Sequence, residues 1–210
     1  MALSNQRYAV ILLMLFLIVW AALAINPLYR NDWLLENILT AITLPCLIFT
    51  YKRLPLSKAS YLVIFLFLCL HTLGTHYTYS QVPYEKWVLA LTGGSLDALM
   101  GWERNQFDRL VHLLYGLLLV YPIQEGVMKI TKVKNALAYF VAVLIVMSTS
   151  MLYELIEWGA ADFFGGDLGV AYLGSQGDAW DAHKDMLLAS IGSVLTALYF
   201  CWRPRVSRHE

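Results

Sequence analysis

Residues 153–186 read YELIEWGAADFFGGDLGVAYLGSQGDAWDAHKDM. The stretch begins as the end of one strongly apolar segment and finishes as the start of another. It carries Glu154, Glu157, Asp162, Asp167, Asp178, Asp181 and Asp185, with His183 and Lys184 beside them. Carboxylates at the rim of an apolar segment are costly unless paired, hydrated or metal-bound. The stretch therefore reads as a connection between two membrane helices, and as the place where the protein keeps its polar chemistry.

Working outward, the whole chain is 59% hydrophobic and 14% charged, against roughly 45–50% and 25% in soluble domains. Apolar runs occupy residues 8–25, 33–51, 59–79, 107–124, 135–158 and 181–202. Such runs predict an all-α, multi-pass protein of the lipid bilayer. The expected fold is one bundle of six transmembrane helices forming a single membrane domain over residues 1–210. The first run resembles a signal peptide in its Ala22-Leu23-Ala24 end, but it exceeds the usual 7–15 apolar residues and is read as a retained helix. Pro45 marks a kink in the second run, and Ser57 is placed to cap the third. Between the third and fourth runs, residues 88–100 predict a short interfacial helix anchored by Trp87 and Trp102. Residues 125–134 read as a short basic loop. The formal net charge is zero, so nothing points to nucleic acid. Cys46, Cys69 and Cys201 all lie within apolar runs and read as small hydrophobes.

Basic residues set the orientation. Arg7, Lys52, Arg53, Lys58, Lys129, Lys132, Lys134, Arg203, Arg205 and Arg208 fall on one side, against Arg30, Lys86 and Arg104 in the opposite loops and Arg109 and Lys184 at helix entrances there. Both termini are therefore expected in the cytoplasm of a bacterial inner-membrane protein. The connections after the third and fifth helices would then face outward. Several ionisable residues gather at that outer rim: His71 and His76 on the third helix, Asp108, Arg109 and His112 on the fourth, Glu154 and Glu157 on the fifth, and Asp178, Asp181, His183 and Asp185 on the sixth. Asp108 and His112 share a helix face, as do Glu154 and Glu157. Asp178, Asp181 and Asp185 form one stripe.

Each group also has a plain structural reading. Asp178 and Asp181 suit the start of a helix. Asp108 suits a first turn and a pairing with Arg109. His76 and His183 suit the solvated interface, and Asp162 and Asp167 a solvated glycine-rich loop. His71, His112, Glu154 and Glu157 lie too far inside for such roles, and ionisable groups at membrane depth mark functional sites.

Three chemistries fit the cluster, and spacing alone chooses none of them, nor whether the protein is an enzyme. The first is a divalent metal site (Zn, Mn or Fe) with ligands among His71, His112, Glu154, Glu157, Asp181 and Asp185. The second is acid–base work centred on Glu154, Glu157, Asp108 and His112. The third is a proton or ion relay. Ser148, Thr149 and Ser150 read as helix-packing groups, and Ala189, Ser193 and Ala197 as a small-residue stripe for close helix contact.

These motifs resemble the YjdF family of bacterial inner-membrane proteins over nearly the whole chain. The resemblance rests on His71-Thr72-Leu73-Gly74-Thr75-His76-Tyr77, Asn105-Gln106-Phe107-Asp108-Arg109-Leu110-Val111-His112, Tyr153-Glu154-Leu155-Ile156-Glu157-Trp158, and residues from Gln176 to Met186. More distantly, the chain is similar to VanZ-like membrane proteins, a family linked to glycopeptide-antibiotic resistance. Their D-K-x-x-H helix start looks like residues 108–112 with Arg109 for Lys. Their E-x-x-Q looks like residues 154–157 with Glu157 for Gln. Asp185 stands where they carry Asn. The two extra carboxylates favour a bound cation. The resemblance implies an envelope role.

The expectation is thus a membrane protein with a His/Asp/Glu site at the periplasmic rim, binding a metal and acting on or sensing an amphipathic or lipid-linked molecule. The alternatives are a proton-coupled transporter of a small solute and a non-catalytic scaffold whose polar network fixes helix packing. No oligomeric state follows from these residues.

Overall fold

The computed structural model describes residues 4–133 and 136–202, the side chains of residues 167, 168 and 171 excepted. Lys134, Arg203, Arg205 and Arg208 lie outside the described residues, as do Asn135 and the side chain of Asp167. In chain order the helices are α1 (Asn5–Leu23), α2 (Arg30–Thr50), α3 (Lys58–His76), α4 (Tyr84–Thr92), α5 (Leu96–Met100), α6 (Phe107–Thr131), α7 (Ala136–Phe164), α8 (Gly166–Leu173) and α9 (Asp181–Trp202). Of these, α1, α2, α3, α6, α7 and α9 are each long and apolar enough to cross a membrane. The six spans are those the apolar runs predict.

Polar contacts fix the direction of each span. At one end Asn5 donates to the Leu56 carbonyl at 2.7 Å, and the Ser57 N–H donates to both carboxylate oxygens of Glu125 at 2.8 and 3.0 Å. At the other end Leu28 N–H donates to the His76 carbonyl at 2.9 Å, Thr78 donates to Asp32, and Arg104 donates to Asp181. Successive spans therefore run antiparallel. The starts of α2, α6 and α9 meet the ends of α1, α3 and α7 at one polar end of the bundle.

Several boundaries differ from the sequence reading, each for a local reason. Helix α2 starts at Arg30, which brings Asp32 into its first turn, where a negative charge suits the helix dipole. Residues 125–131, expected as a loop, continue α6. Glu125 pairs with Lys129 one turn on at 2.8 Å, and the helix stops at Lys132 in a left-handed conformation. The expected single helix over 88–100 is two, because Gly93 ends α4 at φ 73 and Ser95 caps α5. Leu91 and Leu99 stand 87% and 80% exposed on this pair, as an interfacial segment requires. Helix α7 runs past Trp158 to Phe164, and the acidic connection after it folds into α8. Ser57 caps α3 as expected, its hydroxyl accepting from Ser60 N–H at 3.2 Å.

In a bilayer, apolar contact between helices gains little over apolar contact with lipid, so close backbone approach has to hold the spans together. Helices α6 and α9 show this most clearly. A Cβ on Gly116 would stand 2.0 Å from the Ala189 carbonyl oxygen, and one on Gly192 would stand 2.4 Å from the Leu113 carbonyl oxygen. Ala189 and Ser193, read as a small-residue stripe, are fully buried in this contact. Thr196 adds a hydrogen bond to the Leu117 carbonyl at 2.8 Å. Val120, Ala142, Val143 and Val146 carry the packing on to α7.

A methyl at Gly116 or Gly192 meets backbone, which cannot rotate aside. Gly116→Ala and Gly192→Ala should each lower the unfolding free energy by about 1–3 kcal/mol, the usual range for overpacking. Gly159→Ala, whose Cβ would meet nothing within 4 Å, should stay within about 1 kcal/mol of the parent. Denaturant unfolding in detergent measures all three.

Candidate functional site

The polar end has a cationic rim and an acidic interior. On the rim, Arg104 donates to both carboxylate oxygens of Asp181 and to the Ser175 carbonyl at 3.1 Å. Arg109 donates to Asp178 and lies 3.4 Å from Asp181. Lys184 reaches Asp178 at 2.5 Å. These pairs tie the start of α9 to the segment leading into α6. Asp178 also accepts from the Trp180 N–H at 3.0 Å, so it does settle the chain into α9. Its carboxyl is held at about 2, below the ordinary 3.8, first by the Lys184 ammonium, then by the Trp180 amide and Arg109. The pairing of Asp108 with Arg109 is not formed, because Asp178 and Asp181 take that guanidinium.

Beneath the rim lie Asp32, Glu36, His71, His112, Glu154, Glu157 and Asp185, all buried, and the half-buried Asp108. Among the described residues, no lysine or arginine forms an ion pair with any of these carboxylates. The four-residue spacing on α6 sets Asp108 Oδ1 3.7 Å from His112 Nε2, and α7 brings Glu154 Oε1 within 3.4 Å of the same nitrogen. Asp185, one turn into α9, completes a group with them. One ligand atom each from Asp108, His112 and Asp185 lie within 4.8 Å of one another. Two metal–ligand bonds of about 2.1 Å span at most about 4.2 Å, somewhat less than this separation. One oxygen of Asp185 and one of Glu154 have no hydrogen-bond partner.

The other expected ligands are placed differently. Asp181 is taken by the two arginines. Glu157 is buried on α7 but lies outside the close group. His71 bonds the Tyr79 hydroxyl through Nδ1, and its Nε2 has no partner. His76 donates to the Leu23 carbonyl at 2.7 Å, and His183 is exposed, edge-on to Trp180. Asp162 is exposed on the last turn of α7.

The sequence reading missed a fifth contributing helix. Asp32, Glu36 and Thr40 repeat every four residues on α2 and are 1%, 4% and 3% exposed. That spacing was the available signal; starting the helix at Trp33 left out Asp32, and Glu36 within the run was passed over. Glu36 accepts from the Tyr153 hydroxyl at 2.7 Å. Two more tyrosines close the interior from loop and short helix. Burial, then the negative charge of Glu36, Asp108 and Glu157, holds the Tyr79 phenol protonated. Burial, then Glu36, Glu157 and Asp32, does the same for Tyr172 of α8. Arg104 was also missed; nothing in its local sequence distinguishes it from a solvated loop arginine.

Below this end a cavity of about 470 Å³ runs down between α2, α3, α6 and α7. His71, Tyr79, Asp108, His112 and Tyr153 line its top, and leucine, isoleucine and phenylalanine side chains line most of the rest.

Six spans around an ionisable interior define a multi-pass membrane protein. The chain belongs to the family described as predicted membrane protein (DUF2238), whose profile matches residues 8–205. It is 31% identical over 171 residues to Inner membrane protein YjdF of Escherichia coli (strain K12), covering 81% of this chain and 78% of that protein. The more distant likeness to VanZ-like proteins is not shown by these matches. No solved structure matches the chain.

The Asp178 carboxyl, more acidic folded than unfolded, stabilises the fold above its ordinary value, and the contribution fades as pH falls through its lowered one. Asp178→Asn should therefore melt below the parent near neutral pH, with the gap closing between about pH 4 and pH 2. Melting temperatures of the two proteins across that window test this.

Proposed function

We propose that the polar end binds one divalent cation, Zn, Mn or Fe, through Asp108, His112 and Asp185, with Glu154 as a fourth ligand or adjacent base. The carrying observation is the convergence of three donors from two helices within 4.8 Å. Mixed imidazole and carboxylate donors suit these metals. The charge argument points the same way: unpaired buried carboxylates need protons or a cation. Bound there, such a metal polarises an oxygen or acidifies a water. Glu154 stands beside His112 to take or give a proton, while Arg104 and Arg109 hold the acidic start of α9 in place.

The cavity below gives the ligand its character. Its polar head and apolar length suit an amphipathic or lipid-linked molecule, acted on or sensed at the rim. The same apolar lining counts against a proton-coupled solute pathway, although the buried acid groups would serve one. We place the site on the periplasmic face of a bacterial inner membrane, with both termini cytoplasmic. Arg7, Lys52, Arg53, Lys58, Lys129 and Lys132 gather at the opposite end, and the Escherichia coli relative is named as an inner membrane protein.

Elemental analysis of the purified protein tests the metal. The parent should carry near-stoichiometric metal. His112→Ala and Asp185→Asn should lose it, and Glu157→Gln, outside the close group, should keep it. A parent without metal after reloading would sink the proposal and return weight to the transporter and scaffold readings.

A further inference from the structure

Helix α2 leans on α3 and α8 rather than on α7. It reaches α7 through the Tyr153–Glu36 hydrogen bond near the polar end. Below that bond the cavity is bounded by Leu39 and Thr43 of α2, both half-buried, and by Thr149 of α7, which is exposed. The cavity is therefore a cleft whose mouth faces the surrounding lipid. A bundle interior is close-packed, and the lower, apolar part of this cleft offers water few hydrogen-bond partners. What the bilayer offers to fill it is hydrocarbon.

The polar groups within the cleft are layered. Asp108 and His112 stand at the top. About one turn deeper on α7 than Glu154 lies Ser150, 2% exposed, lining the cleft, with no partner for its hydroxyl. Its neighbour Thr149 bonds the Tyr115 hydroxyl at 2.6 Å, which places Ser150 near the level of Tyr115. From Tyr115 down to Gly126, the deepest α6 residue lining the cleft, the helix rises about 16 Å. That is about the length of one extended acyl chain, half of a hydrocarbon core about 30 Å thick, and it starts below the rim and ends beside Glu125 at the far end of the bundle. A free hydroxyl donor thus separates a charged head region from an apolar channel one chain long. A helix-packing role for Ser150 would leave no such donor unused.

We propose that the cleft is an acyl-lipid site: one ester-linked chain lies along α6, its carbonyl accepts from Ser150, and its headgroup meets Asp108 and His112. This deepens the amphiphile reading above and rests on it for the headgroup. A phosphate or carboxylate headgroup would share the cation; an amine headgroup would meet the carboxylates directly. The ester and the single chain are common to both.

The full-length protein in phosphatidylethanolamine–phosphatidylglycerol vesicles, with a palmitoyl lysophosphatidylethanolamine bearing a diazirine at its chain end, provides the test. Photolabel should appear on α6 near Ile123 and Gly126. Leu119→Trp inside the cleft and Thr43→Trp at its mouth should each reduce that label several-fold. The ether-linked analogue should label about fivefold less than the ester, the worth of one hydrogen bond. Ser150→Ala should bring the ester down to the ether's level and leave the ether unchanged. Undiminished labelling in both tryptophan variants, or equal labelling by ester and ether in the parent, would overturn the proposal. Metal content in the same samples reports separately. Labelling as expected without metal overturns the cation site and leaves the lipid site standing; metal with undiminished labelling does the reverse.

Discussion

The fold is built around carboxylates held where water is scarce. A lone charge in a low-dielectric interior is so unfavourable that it must gain a partner or a proton. This chain meets the problem in two layers. At the rim, Arg104, Arg109 and Lys184 neutralise Asp178 and Asp181. Further in, Asp32, Glu36, Asp108, Glu154, Glu157 and Asp185 have hydroxyls and imidazoles for neighbours and, among the described residues, no lysine or arginine in an ion pair. The rim reads as architecture. The interior leaves one oxygen each of Asp32, Glu154 and Asp185 without a hydrogen-bond partner.

The opposite end uses one carboxylate in a different way. Glu125 accepts from the Ser57 amide, the Ser60 hydroxyl at 2.5 Å and Lys129. Its oxygens are saturated, and it joins α6 to the turn before α3. The contrast is informative because residue type is the same at both ends. A saturated carboxylate fastens helices; the interior carboxylates, several with an oxygen left over, lack that saturation.

Much of this was legible in the chain. Six apolar runs gave six spans, and the four-residue spacing of Asp108 and His112 placed both on the face that meets α7 and α9. Two kinds of feature escaped. Helix continuation through polar residues was one: Glu125 to Thr131 and the residues after Trp158 read as loop by composition, yet an ion pair one turn apart supports the first as helix, and Ala160-Ala161 suit the second. The other was partnership across the fold. Asp181 and Asp185 belong to one stripe and look equivalent, but Arg104, 77 residues away, takes the first and leaves the second free. No local pattern carries that information. The Asp32–Glu36–Thr40 stripe was different, since its period was visible; the run from Trp33 left out Asp32, and Glu36 within it was passed over.

The close contact of Gly116 with Ala189 and of Gly192 with Leu113 bears on how the molecule would move. His112 and Asp185 ride on α6 and α9, the two helices whose backbones touch, so their spacing is set by an immobile spine. The wall facing them, α2, has no such seam with α7. A guest pushing into the cleft would displace α2 and leave the donor geometry alone. In amide exchange, the spine would be the slowest region to open and α2 among the first, with His112 and Asp185 carried on the part of the protein that breathes least.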